Sequence, residues 1–180
     1  MAFQDEFDRV VGIEGKYSNN PKDSGGPTKY GITEAVARAN GYNDDMQELP
    51  LSVARIIYKR QYWDTMKLDA IAAISPAVAA ELFDTGVNCG TGVAGKFIQR
   101  TVNVLNRQGR DYADITVDGA IGPVTVHQVK AFIDKRGKQG EAALLRALNA
   151  LQGARYIELA EKREKDEEFV FGWLLNRVVI

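Results

Sequence analysis

Residues 14–32 read EGKYSNNPKDSGGPTKYGI, and the character of the chain changes on entering this stretch and again on leaving it. Asn, Pro, Asp, Ser and Gly crowd together inside it. These residues favour tight turns because they tolerate left-handed backbone, fix φ or hydrogen-bond to their own loop. Turns and a small β-hairpin are therefore expected near residues 15–32. Upstream, Phe3, Phe7, Val10 and Val11 recur at helical spacing, and Gly15 suits the end of that helix. Glu14 follows Phe7 by seven residues and Val10 by four, which sets a carboxyl at the end of the apolar stripe. Burial disfavours the ionised form, and a carboxyl kept protonated near neutral pH is what general-acid cleavage of a glycosidic bond requires. Periodicity by itself leaves a second reading open, a frayed helix end with Glu14 in water or in a salt bridge.

Downstream the pattern is helical nearly throughout. Thr33 is placed to cap a short helix through Asn40, and Ser52 to cap another carrying Val53, Ile56, Ile57 and Tyr58 toward Trp63. Ser75-Pro76 reads as a capped helix start, because proline at the first helical position loses no needed N–H. That helix carries Val78, Leu82 and Phe83 to Gly86–Gly90, and the next, from Thr91 or Gly92, carries Phe97, Ile98, Thr101, Val102 and Leu105 until Gly109. Pro123 opens a helix bearing Val126, Val129 and Phe132. The longest helical pattern starts near Gly140 and runs through Leu144, Leu148 and Tyr156 into the charged run EKREKDEE, which reads as a solvated face. Trp63 and Trp173 sit inside apolar patterns and are better core residues than sugar platforms. The expected fold is mainly α, a lysozyme-like, two-lobed helical body with the small hairpin region near its start.

Composition narrows the function. A net charge of −1 and a pI near 5.9 argue against a nucleic-acid partner held by phosphate contacts. One cysteine, Cys89, excludes an internal disulfide, and one histidine, His127, leaves too few soft ligands for a zinc site of the usual kind, so no metal or cofactor is expected. The N-terminus is acidic where a secretory signal would be basic and then apolar, and the most apolar stretch, near residues 70–83, is too short to span a bilayer. No stable membrane insertion is expected, and the chain is expected to be a monomer.

Glu14, Gly15, Tyr17, Asp23, Gly25, Gly26, Thr28, Gly31 and Ile32 together follow the pattern E-G-G-Y, spacer, D-x-G-G-x-T-x-x-G-I. This resembles the opening motif of glycoside hydrolase family 108, the phage and bacterial N-acetylmuramidases related to secretion activator proteins. Lys16 departs from it, standing where the family usually has a second glycine. YKRQYWD around Trp63, AAELFDTGVNCG over residues 79–90 and GWLLNRV from Gly172 resemble the family's later blocks, and residues from about Phe97 to Val178, with VDGAIGPVT at 117–125, resemble its peptidoglycan-binding region. The likeness implies a catalytic region over residues 1–94 and a helical peptidoglycan-binding region over 95–180. It also implies that Glu14 is the catalytic acid and that the substrate is the β-1,4 bond between N-acetylmuramic acid and N-acetylglucosamine.

Asp23 and Thr28 follow Glu14 in an arrangement similar to the Glu, Asp and Thr of phage-type lysozymes. A glycosidase needs a second group on the opposite face of the sugar. Asp23 fits that role with Thr28 orienting water, and it equally fits a turn residue bonded to its own loop. Gly26 and Tyr30 are candidates to line the cleft, and Asp84 and Asn88, four apart on one helical face, to contact sugar or peptide stem or else to cap and turn before Gly90. Two other functions remain in view: a Cys/His amidase or endopeptidase built on Cys89 and His127, and a non-catalytic wall-binding or export-helper protein. On the leading reading the chain is an endolysin, held in the host bacterial cytoplasm until a holin releases it to the cell wall in the periplasm.

Overall fold

The computed structural model describes residues 2–11, 17–19 and 26–178, and these are mainly α-helical with one small antiparallel β-hairpin, the class expected from the sequence. They fall into two compact units, residues 1–64 and 65–180. No helix among the described residues is long and apolar enough to cross a membrane.

The first unit holds α1 (Ala2–Val11), β1 (Thr28–Lys29), β2 (Ile32–Thr33), α2 (Glu34–Ala39), a 3-10 turn (Met46–Glu48) and α3 (Leu51–Tyr58) running on into a π-helical turn (Lys59–Asp64). The stripe on α1 does what its spacing requires: Phe7 is fully buried, 5.5 Å from the Tyr58 ring, and Phe3 lies 5.4 Å from Trp63. Trp63 has no exposed surface and is a core residue. Thr33 caps α2, its Oγ1 accepting the Val36 N–H at 3.4 Å. Ser52 does not cap α3. The helix starts at Leu51 behind Pro50, whose ring-fixed φ of −71° supplies an extended entry without a side-chain bond.

The second unit holds α4 (Leu68–Ala72), α5 (Pro76–Cys89), α6 (Thr91–Val104), α7 (Pro123–Lys162), a 3-10 turn (Glu164–Asp166) and α8 (Glu167–Arg177). α5 packs on α4, α6 and α7, and α7 in turn packs on α6 and α8. Leu68, Ile71, Val78, Leu82, Phe83, Ile98, Val102, Val129, Leu144 and Leu148 form the core, each at most 1% exposed. Burying one such side chain contributes about 1.5–3 kcal/mol. Ser75 caps α5, its Oγ accepting the Val78 N–H at 3.1 Å while its hydroxyl donates to Glu141. α7 is broken at Gly137, where φ is 57° and ψ −147°, so the two helical stretches read from the sequence lie on either side of one joint. The charged run lies at the surface except for Asp166, which is buried and meets Arg163 at 2.5 Å.

α6 stops at Val104 and not at Gly109. The Asn106 side chain accepts the Gly109 N–H at 2.9 Å, and Arg107, Gln108 and Gly109 take positive φ, so a local side-chain bond replaces the next helical turn. The segment between α6 and α7 has no strand or helix, yet amides on α6 hold its backbone. Asn103 and Ile115 exchange two bonds of 2.8 and 2.9 Å. Gln99, 2% exposed, accepts the Gly119 N–H at 2.8 Å and donates to Asp118 at 2.7 Å and to the Ala120 carbonyl at 3.1 Å. Gly95 lets the segment approach, since a Cβ there would come within 1.9 Å of the Gly119 oxygen.

Candidate active site

Glu14 and Asp23 lie outside the described residues, as do Gly15, Lys16 and Gly25. The described part of the motif is the hairpin that follows. Thr28 pairs with Thr33 and Lys29 with Ile32, and the turn between them is Tyr30-Gly31, with φ of 53° and 72°. Two successive positive φ values are those of a type I′ turn, whose twist matches the strands it joins. Tyrosine is an unusual first residue for such a turn. Its conformation is held from outside, because the Tyr58 hydroxyl donates to the Tyr30 carbonyl at 3.1 Å. Gly31 is required on two counts: its φ, and a Cβ that would sit 2.6 Å from that same hydroxyl.

Thr28 is fixed at three points. Its N–H and C=O exchange 2.8 Å bonds with Ser18, and its hydroxyl donates to the Gly26 carbonyl at 3.0 Å. Ser18 thereby brings the chain that follows the Glu14 segment alongside Thr28. Lys29 donates to the Gln47 carbonyl and lies 5.3 Å from the Tyr30 ring centroid. Gly26, Thr28 and Tyr30 are each half-buried, which leaves them surface to offer a ligand. Tyr58 reads as one more apolar position in a helical stripe, and its role was not legible from spacing; it joins the Phe7 ring of α1 to the hairpin turn.

Asp84 and Asn88 stand in the second unit, on α5. Asp84 is 2% exposed, and both its oxygens are engaged: Gln152 of α7 donates at 2.7 Å and Arg177 of α8 at 2.9 Å. A buried carboxylate needs such partners, and this one ties three helices together. Asn88, half-buried, donates to the Asp84 carbonyl at 2.7 Å. Gln152 and Arg177 were not singled out in the sequence, since partners 68 and 93 residues away leave no local pattern.

The thiol of Cys89 is pushed up to about 11, chiefly by burial, with Arg155, Asp84 and Arg177 as its charged neighbours. A cysteine nucleophile requires the opposite shift. Among the described residues no three His, Cys, Asp or Glu side chains gather as a metal site.

Residues 7–90 match the family model Glycosyl hydrolase 108, and residues 93–178 match the model Predicted Peptidoglycan domain. No curated protein matches the sequence. Among solved structures the chain is similar to SagA of Brucella abortus, with 21% identity and a TM-score of 0.62 over 96% of this chain and 95% of that one, a likeness of fold. With the motif of residues 14–32 inside the first match and the helices α6–α8 spanning the second, the chain belongs to the glycosyl hydrolase 108 family and is a peptidoglycan-acting glycosidase.

Proposed function

We propose that the chain is a lysozyme, an N-acetylmuramidase that hydrolyses the β-1,4 bond between N-acetylmuramic acid and N-acetylglucosamine. The observation that carries this is the Glycosyl hydrolase 108 match over residues 7–90, which contains Glu14 at the head of its motif. In this reading Glu14 gives its proton to the glycosidic oxygen as the bond to the muramic acid C1 breaks. Asp23 faces the positive charge that develops on that sugar, and Thr28 orients the water that adds to C1 and leaves a new reducing end. The fixed hairpin supports such a role for Thr28, because a group that positions water must itself be held. Gly26 and Tyr30, beside it, line the sugar subsite, and Asn88 contacts sugar or stem. Asp84, with both oxygens engaged, acts through the position of α5.

In the same proposal the protein is a phage-type endolysin, retained in the host cytoplasm until a holin opens the inner membrane to it. The mechanism is tested by digesting purified peptidoglycan and identifying new ends by mass spectrometry. Reducing N-acetylmuramic acid ends are expected from the native chain and are expected to be absent with Glu14→Gln at unchanged circular dichroism. New amino groups, or undiminished cleavage by Glu14→Gln, would defeat the assignment.

A further inference from the structure

Within the second unit, the start of α4 and the first turns of α7 enclose a concavity of about 440 Å³ lined by Lys67, Ala70, Pro123, Val126, His127 and Lys130. Its apolar lining is Ala70, Pro123 and Val126. The polar side chains around it are cationic or imidazole, without a carboxylate among them. In a chain whose net charge is −1, this is a local reversal of sign. Lys130 meets Asp134 one turn further along α7 at 2.5 Å, and Asp134 does not line the concavity. The side chains of Lys67 and His127 have no polar partner among the described residues, and both residues are exposed. Lys67 also holds a left-handed backbone, φ 53°, at the head of α4, where it gives no side-chain cap to the helix. A lysine kept in a conformation that costs an L residue, with its ammonium uncommitted, is available to a ligand.

We propose that this concavity is a subsite for the stem peptides of peptidoglycan. The inference rests on the reading of the chain as peptidoglycan-acting. Charge selects the occupant. The amino-sugar strand is neutral where its lactyl groups are amide-linked to stems, whereas the stems end in free carboxylates and carry methyl and methylene groups. Carboxylates meet Lys67, Lys130 and His127, and the aliphatic groups cover Ala70, Pro123 and Val126. α4 comes from the part of the chain matched as glycosidase and α7 from the part matched as peptidoglycan domain, so the subsite is made jointly by the two.

The test measures co-sedimentation with purified sacculi, using Glu14→Gln protein so that the sacculi stay insoluble, with and without Lys67→Glu and Lys130→Glu. Binding to intact sacculi is expected to fall roughly ten-fold in the double charge reversal and to weaken with salt. Chitin, an insoluble amino-sugar polymer with neither stems nor carboxylates, is expected to bind both proteins equally. Loss of the difference on intact sacculi, or an equal difference on chitin, overturns the proposal. Charge-dependent retention on phosphatidylglycerol vesicles without a difference on sacculi overturns it in favour of a lipid surface. A second measurement needs no variant: His127 is the only histidine, so its imidazole signals in the NMR spectrum are expected to move with a soluble stem tetrapeptide and stay still with the uncharged disaccharide of N-acetylglucosamine. Immobile signals at saturating peptide refute it. If the native chain cleaves nothing, the muramidase reading fails while the binding comparison still decides the subsite.

Discussion

At the scale of single residues the hairpin turn is the most constrained point near the proposed active site. Gly31→Ala places a methyl group against the Tyr58 hydroxyl and forces an L residue to φ 72°, so it is expected to destabilise the protein by more than about 1 kcal/mol and to lower activity with it. Thermal melting beside the cleavage assay checks this. Adding Tyr58→Phe removes the oxygen that the methyl strikes but leaves φ unchanged, so only part of the melting temperature is expected to return. Glycine at position 31 was visible in the sequence as a turn residue. The reason it cannot be replaced was not, because it depends on a side chain 27 residues away. Asp84 shows the same division: its place on a helical face was legible, and its pairing with Arg177 was not.

At the scale of elements, starts were more legible than stops. Ser75-Pro76 opens α5 and Thr33 caps α2 because a cap is a local bond between neighbours in sequence. α6 ends early because Asn106 competes for the backbone, and the same residue type is tolerated three residues earlier, where the Asn103 side chain bonds Ile115 instead. The turn that follows carries a measurable electrostatic signature. Asp111 is hydrogen-bonded by Arg107 at 2.5 and 3.0 Å, with Lys135 and Arg136 at 3.5 Å, and the Arg107 bonds above all hold its carboxyl down to about 2. A carboxyl depressed below its unfolded value of about 3.9 stabilises the fold above that pH and ceases to do so as the pH falls through the folded value. Asp111→Asn is therefore expected to melt below the native chain at neutral pH, with the gap closing between about pH 4 and pH 2. A constant gap across that range would separate the residue from its charge.

At the scale of the molecule the two family matches and the two compact units divide the chain differently. The matches meet near residue 90, whereas the units part after Asp64, so α4 and α5 belong to the glycosidase match and pack in the same unit as α6–α8. Composition and motif reading show where family blocks lie; they carry no record of which helix buries which face. A fragment of residues 65–180 is expected to fold on its own, with cooperative melting and dispersed NMR signals, while one of residues 1–92 strands the apolar faces of α4 and α5 and is expected to aggregate. The segment between α6 and α7 carries the last consequence. A protease must draw several residues into an extended strand in its cleft, and bare connections between helices are its usual targets. Here the amides of Gln99 and Asn103 already hold that backbone, and Gly95 seats it against α6 too closely for a side chain to intervene. The longest stretch without helix or strand among the described residues is thus expected to resist proteolysis, which limited digestion followed by mass spectrometry of the fragments checks.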